Sequence, residues 1–234
     1  MNGISESVYQ LMSPSSELPS PCVLLASRSP RRRQMLTDAG ISHVAEGPGF
    51  EDGLLLPPDH GKTSPEQWVM SLAYLKAWTK ASEASMRRRA GEPLPGIVLG
   101  ADTACVDGDR LIGTPTSAAE AEAMIRGFVG KSHRVVTGVA LVEVPHAEFG
   151  SRPHRRMFAD VATVALGTLS DEQIDEYVRS GGWEGKAGGY NLSERMQAGW
   201  PLTHEGDATT IMGLPMERLK LELPAFAAAV GGDP

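Results

Sequence analysis

Cysteine is scarce in this chain: Cys22 and Cys105 are the only two in 234 residues. Two cysteines exclude a disulfide framework, and their wide separation excludes a Cys-x-x-Cys metal site. Both lie in apolar, strand-like runs and read as small buried hydrophobes. No apolar run approaches the ~18 residues of a membrane-spanning helix. A positive segment followed by an apolar core is also lacking at the N-terminus, so no secretory signal is legible and a reduced, cytoplasmic setting is expected. Positive charge is not in excess, since the formal net charge is −7. That balance argues against binding a nucleic acid polymer or an anionic membrane, each of which needs a broad basic face. The six histidines show no HxH, HExxH or His/Cys spacing. Neither a glycine-rich Walker loop nor a G-x-S-x-G elbow occurs, and covalent catalysis has no support.

What remains is an ordinary globular composition, 41% hydrophobic and 22% charged, long enough for one large α/β domain or two small ones. Residues 1–20 are rich in Ser and Pro without periodicity and read as a disordered leader. Cys22–Ala26 suits a buried strand. Ser29-Pro30 is a helix start that runs to about Asp38, with Gly40 ending it. Residues 47–63 read as a long loop. Ser64-Pro65 opens a second helix to about Ala84, with Trp68, Leu72, Leu75 and Thr79 as its apolar stripe. Ile97–Asp102 reads as a buried strand ending in an acid, followed by a hairpin around Asp107-Gly108. A helix over 117–129, a β-ribbon of 134–144 with 157–166, and a capping box at Ser170 follow. Gly185–Tyr190 is a glycine-rich turn, and a C-terminal helix starts after Gly213-Leu-Pro215, ending before Pro224 or continuing past it after a kink. Alternating strands and helices predict an α/β class with a mixed sheet.

Positive charge is nonetheless concentrated at one point: Arg28, Arg31, Arg32 and Arg33 fall within six residues directly after the first strand. The start of a helix offers unpaired N–H groups and a positive dipole end. Ser27 and Ser29 add hydroxyls, and Arg31 and Arg32 add forks suited to phosphate. The plainer alternatives are a basic helix surface or a disordered Arg-Ser-Pro segment. Asp102 stands where open α/β sheets place ligands and could bind a metal, accept a proton, or simply cap a turn. Lys186, among glycines, is either a ligand contact or a solvated turn residue. Lys76, beside the second helix's apolar stripe, would ordinarily snorkel outward.

Taken in order, these segments resemble the Maf-like nucleoside triphosphate pyrophosphatases. The resemblance is carried by Ser27-x-Ser29-Pro30-Arg31-Arg32, Leu72-Ala73-x-x-Lys76-Ala77 and Gly100-Ala-Asp-Thr103. It continues with Gly130-x-x-His133-x-Val135-x-Thr137-Gly138-Val139, Lys186-Ala-Gly-Gly-Tyr190 and Met212-Gly-Leu-Pro215. It implies a single Maf/ITPase-like domain over residues 21–230, an elongated mixed sheet flanked by helices around a central substrate cleft. The implied activity splits a nucleoside triphosphate, standard or modified, between its α- and β-phosphates into the monophosphate and pyrophosphate. A divalent metal is implied, Mg²⁺ or alternatively Mn²⁺, as is a homodimer. Asp102 would be the general base, and Glu51 with Asp102 the metal ligands. Ser27, Ser29, Arg31, Arg32, Lys76, Thr103, Lys186, Ser193 and Glu194 would bind substrate. Arg28 falls in a variable slot, and Arg33 lies beyond the motif as a surface residue.

Two departures stand out. Gly113-Thr114-Pro115 replaces the family's Gly-Lys-Pro. Ser193, or Glu194 after a one-residue shift, stands where one branch has a base-reading glutamine. An acid there resembles the branch preferring 7-methylguanosine triphosphate, so the base is open. A regulatory nucleotide-binding protein with weak or no catalysis is the alternative from another class. An inosine-triphosphate pyrophosphatase type is a third reading.

Overall fold

The structure is a computed structural model that describes residues 22–50, 63–108, 110–145 and 153–231. Residues 1–20 and Glu51 lie outside the described residues. Among the described residues, seven strands form one mixed sheet in the order β2-β1-β3-β5-β6-β7, with β4 paired to β3. The strands are β1 (Cys22–Ala26), β2 (Ser42–Glu46), β3 (Ile97–Asp107), β4 (Arg110–Ile112), β5 (Lys131–Glu143), β6 (Arg155–Leu166) and β7 (Leu202–Glu205). The helices are α1 (Pro30–Asp38), α2 (Pro65–Arg89), α3 (Ala118–Phe128), α4 (Asp171–Arg179), α5 (Leu192–Gln197), α6 (Ala208–Ile211) and α7 (Met216–Val230). Strand β1 runs parallel to β2 and β3, and the remaining pairings are antiparallel. The class is α/β, as alternation along the sequence implies. No described helix is long and apolar enough to cross a membrane.

Alternation along the strands sorts the core onto the two faces of the sheet. Leu24, Ala26, Val98, Ala140 and Val142 pack on Ala73, Ala77, Ala81 and Ala84 of α2. Val23, Leu25, Leu99, Ala101, Val139 and Leu141 pack on α1 and α7 through Met35, Leu36, Leu219, Leu223 and Phe226. Farther along that second face, Cys105, Val135 and Val164 pack with Ile125 and Phe128 of α3, Ile174 and Tyr177 of α4, and Leu192 of α5. One face thus carries a single long helix, and the other carries two helical clusters.

Helix α2 differs from the stripe read off the sequence. Its buried face is Val69, Leu72, Ala73, Lys76, Ala77, Lys80, Ala81, Ala84 and Ser85, whereas Trp68, Leu75 and Thr79 are only half-buried. Small side chains win this face because the helix sits directly on strand backbone. A Cβ on Gly100 would stand 2.3 Å from the Ala73 carbonyl oxygen, and one on Gly138 would stand 2.5 Å from the Met70 nitrogen. The helix also continues to Arg89 past the expected end near Ala84. In that last turn Arg87 donates to both Glu46 and Glu92.

Two further differences concern the strands. Strand β3 does not end at Asp102 but runs through it to Asp107, pairing with β5 along Ile97–Val106. Strand β2 (Ser42–Glu46) has no clear alternation in sequence and becomes a strand through parallel pairing with β1. Helix α7 continues through Pro224, one of the two courses the sequence leaves open.

Candidate active site

The site begins as a gap in strand pairing. On the edge of β3 opposite β5, β1 covers only Ile97–Leu99 and β4 covers only Cys105–Asp107. Gly100–Ala104 therefore have no strand beside them on that edge among the described residues. Strand β1 ends here and turns into α1, so the gap lies at the carboxyl end of a parallel strand, where open α/β sheets bind ligands. On the α1/α7 face the same place falls between the two helical clusters. A cavity of about 260 Å³ fills it, lined by Ser29, Arg31 and Arg32 at one end and by Cys105, Val135, Val164 and Leu192 at the other.

Each end follows from local sequence. Ser29 caps α1 by accepting the Arg32 N–H, with Pro30 at the first turn. That cap turns Ser29, Arg31 and Arg32 onto the cleft wall, while Arg33 is exposed. The Ser27 side chain is buried beneath and accepts from the Ser29 N–H at 3.2 Å and from Arg32 Nη1 at 3.3 Å. It supports the wall rather than lining it. Arg32 Nε donates to the Gly213 carbonyl at 2.7 Å. Gly213 has φ 104°, and a Cβ there would press on Thr103 and Arg32 at 3.3–3.4 Å, which accounts for glycine in the Met-Gly-Leu-Pro segment.

Asp102 and Thr103 are neighbours on β3 and so face opposite ways. Thr103 lies beside Arg32 on the α1/α7 face, with Nη2 donating to its hydroxyl at 3.2 Å. Asp102 meets α2, where Lys76 Nζ donates to its Oδ1 at 2.6 Å. Lys76 does not snorkel outward: it is only 8% exposed. The close seating of α2 on Gly100 carries Lys76, one turn after Ala73, down onto the carboxylate. Among the described residues, Asp102 is the one carboxylate lining the cleft.

The far wall is the glycine-rich turn, a 3-10 turn over Ala187–Gly189. It is tied back to the loop after β4 by a bond from the Gly188 N–H to the Gly113 carbonyl at 2.9 Å. Thr114 and Lys186 both line the cleft there. Lys186 Nζ donates to the Glu194 carboxylate of α5. Ser193 does not line the cleft, and its hydroxyl points to Met212 Sδ at 3.6 Å. The structure thus brings Ser29, Arg31, Arg32, Asp102, Thr103 and Lys186 to one cavity. It sets Ser27, Lys76 and Glu194 directly behind them and leaves Ser193 to one side.

Among the lining residues with no role assigned from sequence are His133 and Tyr190. His133 is 3% exposed and stacks on Phe128 with ring centroids 4.0 Å apart. Its Nε2 shares a hydrogen bond of 3.1 Å with the Tyr190 hydroxyl, and its Nδ1 has no partner among the described residues. Burial holds its pKa down at about 4, against a weaker opposing pull from Asp107, so the ring is neutral at pH 7. Burial likewise pushes the Tyr190 phenol upward and the Cys105 thiol up to about 12. The inner end of the cleft is thus uncharged and partly aromatic. The His-x-Val-x-Thr spacing within one strand was the available signal, because it puts His133, Val135 and Thr137 on a single face.

A sheet opened along one strand, with arginines at a helix start and a carboxylate–lysine pair on the open edge, is an α/β architecture with a cationic ligand cleft. The chain matches the family model described as Maf-like protein over residues 22–226 and belongs to that family. Similar curated proteins include a dTTP/UTP pyrophosphatase of Ralstonia nicotianae, 34% identical over 200 residues that span 85% of this chain and 90% of the relative. Another is a dTTP/UTP pyrophosphatase of Bacillus mycoides, 33% identical over 208 residues, 89% of this chain and 97% of the relative. Among solved structures, the Staphylococcus aureus Ham1 protein aligns at 14% identity with TM-score 0.35, over 62% of this chain and 71% of that one, a likeness too slight to bear on the fold.

Proposed function

We propose that this protein is a nucleoside triphosphate pyrophosphatase, hydrolysing the α–β anhydride to release pyrophosphate and the monophosphate. The observation that carries the reading is the Lys76–Asp102 pair on the open edge of β3, beside the wall bearing Arg31 and Arg32. Relatives of this length bearing the name dTTP/UTP pyrophosphatase support it.

In the reaction, Asp102 accepts the proton of a water whose oxygen bonds to phosphorus as the bridging P–O bond breaks and pyrophosphate leaves. Lys76 orients the carboxylate. Arg31, Arg32 and Lys186 offset the charge gathering on the phosphate oxygens, with Ser29 and Thr103 beside them. The implied divalent cation, Mg²⁺ or Mn²⁺, fits a site with a single lining carboxylate if the substrate's phosphates supply its other ligands, as is usual for Mg²⁺. Asp102 would hold it, with Glu51 the second candidate, and it would screen the phosphate charge. The neutral inner end lined by Tyr190, His133, Val135 and Leu192 suits a base, and Glu194, fixed by Lys186, supplies an acceptor near it.

The test is a panel of UTP, dTTP, CTP, ITP, XTP and 7-methylguanosine triphosphate with Mg²⁺ or Mn²⁺, measuring pyrophosphate. Release from at least one nucleotide is expected, with a loss of at least about a thousandfold in Asp102→Asn. Asparagine is the apt substitution because removing the side chain would strand buried Lys76 and cost stability. Full activity in that variant would remove Asp102 as the base. A second reading, nucleotide binding without turnover, draws on Thr114 in the place of a lysine and on Lys186 being engaged by Glu194. Nucleotide-dependent thermal stabilisation with no pyrophosphate from any member of the panel would establish it.

A further inference from the structure

Arg32 is held by a chain of hydroxyls that runs well beyond the cleft. Its Nη2 donates to Thr103 Oγ1, which lies 2.8 Å from Thr137 Oγ1. The Thr137 hydroxyl donates to the Thr210 carbonyl at 2.7 Å. A hydroxyl carries one proton. Since that of Thr137 goes to a carbonyl, Thr103 must be the donor in the threonine pair, and its lone pairs are turned to Arg32. The chain therefore has one direction: guanidinium to Thr103, Thr103 to Thr137, Thr137 to the α6 carbonyl. Its far end is anchored because the Thr210 hydroxyl donates to Asp160 on β6. Thr137 and Thr210 are both 0% exposed, so water cannot supply a substitute partner, and a reversed hydroxyl would point a proton at the arginine.

We propose that Thr137 is a positioning residue: without lining the cleft, it sets the direction of the Thr103 hydroxyl and thereby aims Arg32 at the phosphates. The proposal rests on the pyrophosphatase reading for what Arg32 contacts. It separates from a packing role because two substitutions pull in opposite directions. Thr137→Val keeps the shape and removes the hydroxyl. Thr137→Ser keeps the hydroxyl and opens a methyl-sized void in a fully buried place.

The experiment measures kcat/KM for pyrophosphate release together with the thermal midpoint of each protein. The expected result is a loss of about tenfold in T137V, with T137S within threefold of wild type although its midpoint falls. Thr137→Ala, which differs from T137S only by the missing oxygen, carries the same comparison should T137V fail to fold. Valine within threefold of wild type, or serine impaired as much as valine, would overturn the proposal. If the wild-type protein releases no pyrophosphate, the activity reading fails separately. The same variants are then compared by calorimetric Kd for inorganic tripolyphosphate. A tenfold weakening in T137V alone sustains the positioning role, and absence of binding to the wild type overturns it.

Discussion

Two buried ionisable residues show how one position can carry chemistry or only stability. Lys76 is buried with a partner, its Nζ lying 2.6 Å from Asp102 Oδ1. His133 is buried with one nitrogen unpartnered among the described residues, and burial suppresses its charge. The second case has a pH signature. A histidine held at about 4 when folded and near 6.5 when unfolded leaves the unfolded chain binding more protons between those values, so stability falls as pH drops through that window. The loss attributable to His133 should reach about 2 kcal/mol between pH 7 and pH 5. Urea unfolding at the two pH values measures it, and His133→Gln should flatten that part of the dependence. An equal pH dependence in the variant would show that the ring is not desolvated. At this scale the sequence named Asp102, Arg31, Arg32 and Lys186 by residue type and neighbourhood. It could not tell that Lys76 turns inward, because a lysine's direction is set by what its helix rests on.

At the scale of elements, the seating of α2 on β3 and β5 decides the site. Gly100 and Gly138 have no positive φ, so their role is space alone. An alanine at Gly100 would place its methyl 2.3 Å from a helix carbonyl, and no rotamer change can relieve a backbone contact. Gly100→Ala should cost about 3 kcal/mol or more in urea unfolding, and Gly138→Ala a similar amount, with activity lost as Lys76 leaves Asp102. Gly127, inside α3 with nothing within 4 Å of its would-be Cβ, is the contrast. Gly127→Ala should leave activity unchanged and raise stability by about 0.5 kcal/mol. A Gly100→Ala protein as stable as wild type would mean that α2 does not rest where it is described. Caps made the starts of α1, α2 and α4 readable, since Ser29, Ser64 and Ser170 each accept from the first turn. The extent of β3 was not readable, because Gly100 and Asp102 look like a strand end until β5 pairs through them.

For the whole molecule, the main consequence is a division of labour across the sheet. One face lends a helix that delivers Lys76, the other carries two helical clusters whose separation leaves the cleft, and the open edge of β3 joins them. A net charge of −7 is compatible with an anionic substrate because positive charge is gathered at one helix start rather than spread over a face. Since Asp102 is paired with Lys76 and stands alone as a lining carboxylate among the described residues, the cation should arrive with the nucleotide. EDTA should therefore abolish pyrophosphate release yet leave the thermal midpoint of the substrate-free protein unchanged within 1 °C. A fall of several degrees would point instead to a resident ion. The sequence by itself determined the class of fold, the capped starts of α1, α2 and α4, and the family, because these depend on periodicity, caps and motifs that are local in the chain. Tertiary structure alone decided that Asp102 lies mid-strand on an unpaired edge, that Lys76 faces it, and that Thr137 stands behind Arg32. Those facts depend on which strand ends beside which and on how closely a helix can approach two glycines, and neither is encoded within any one segment.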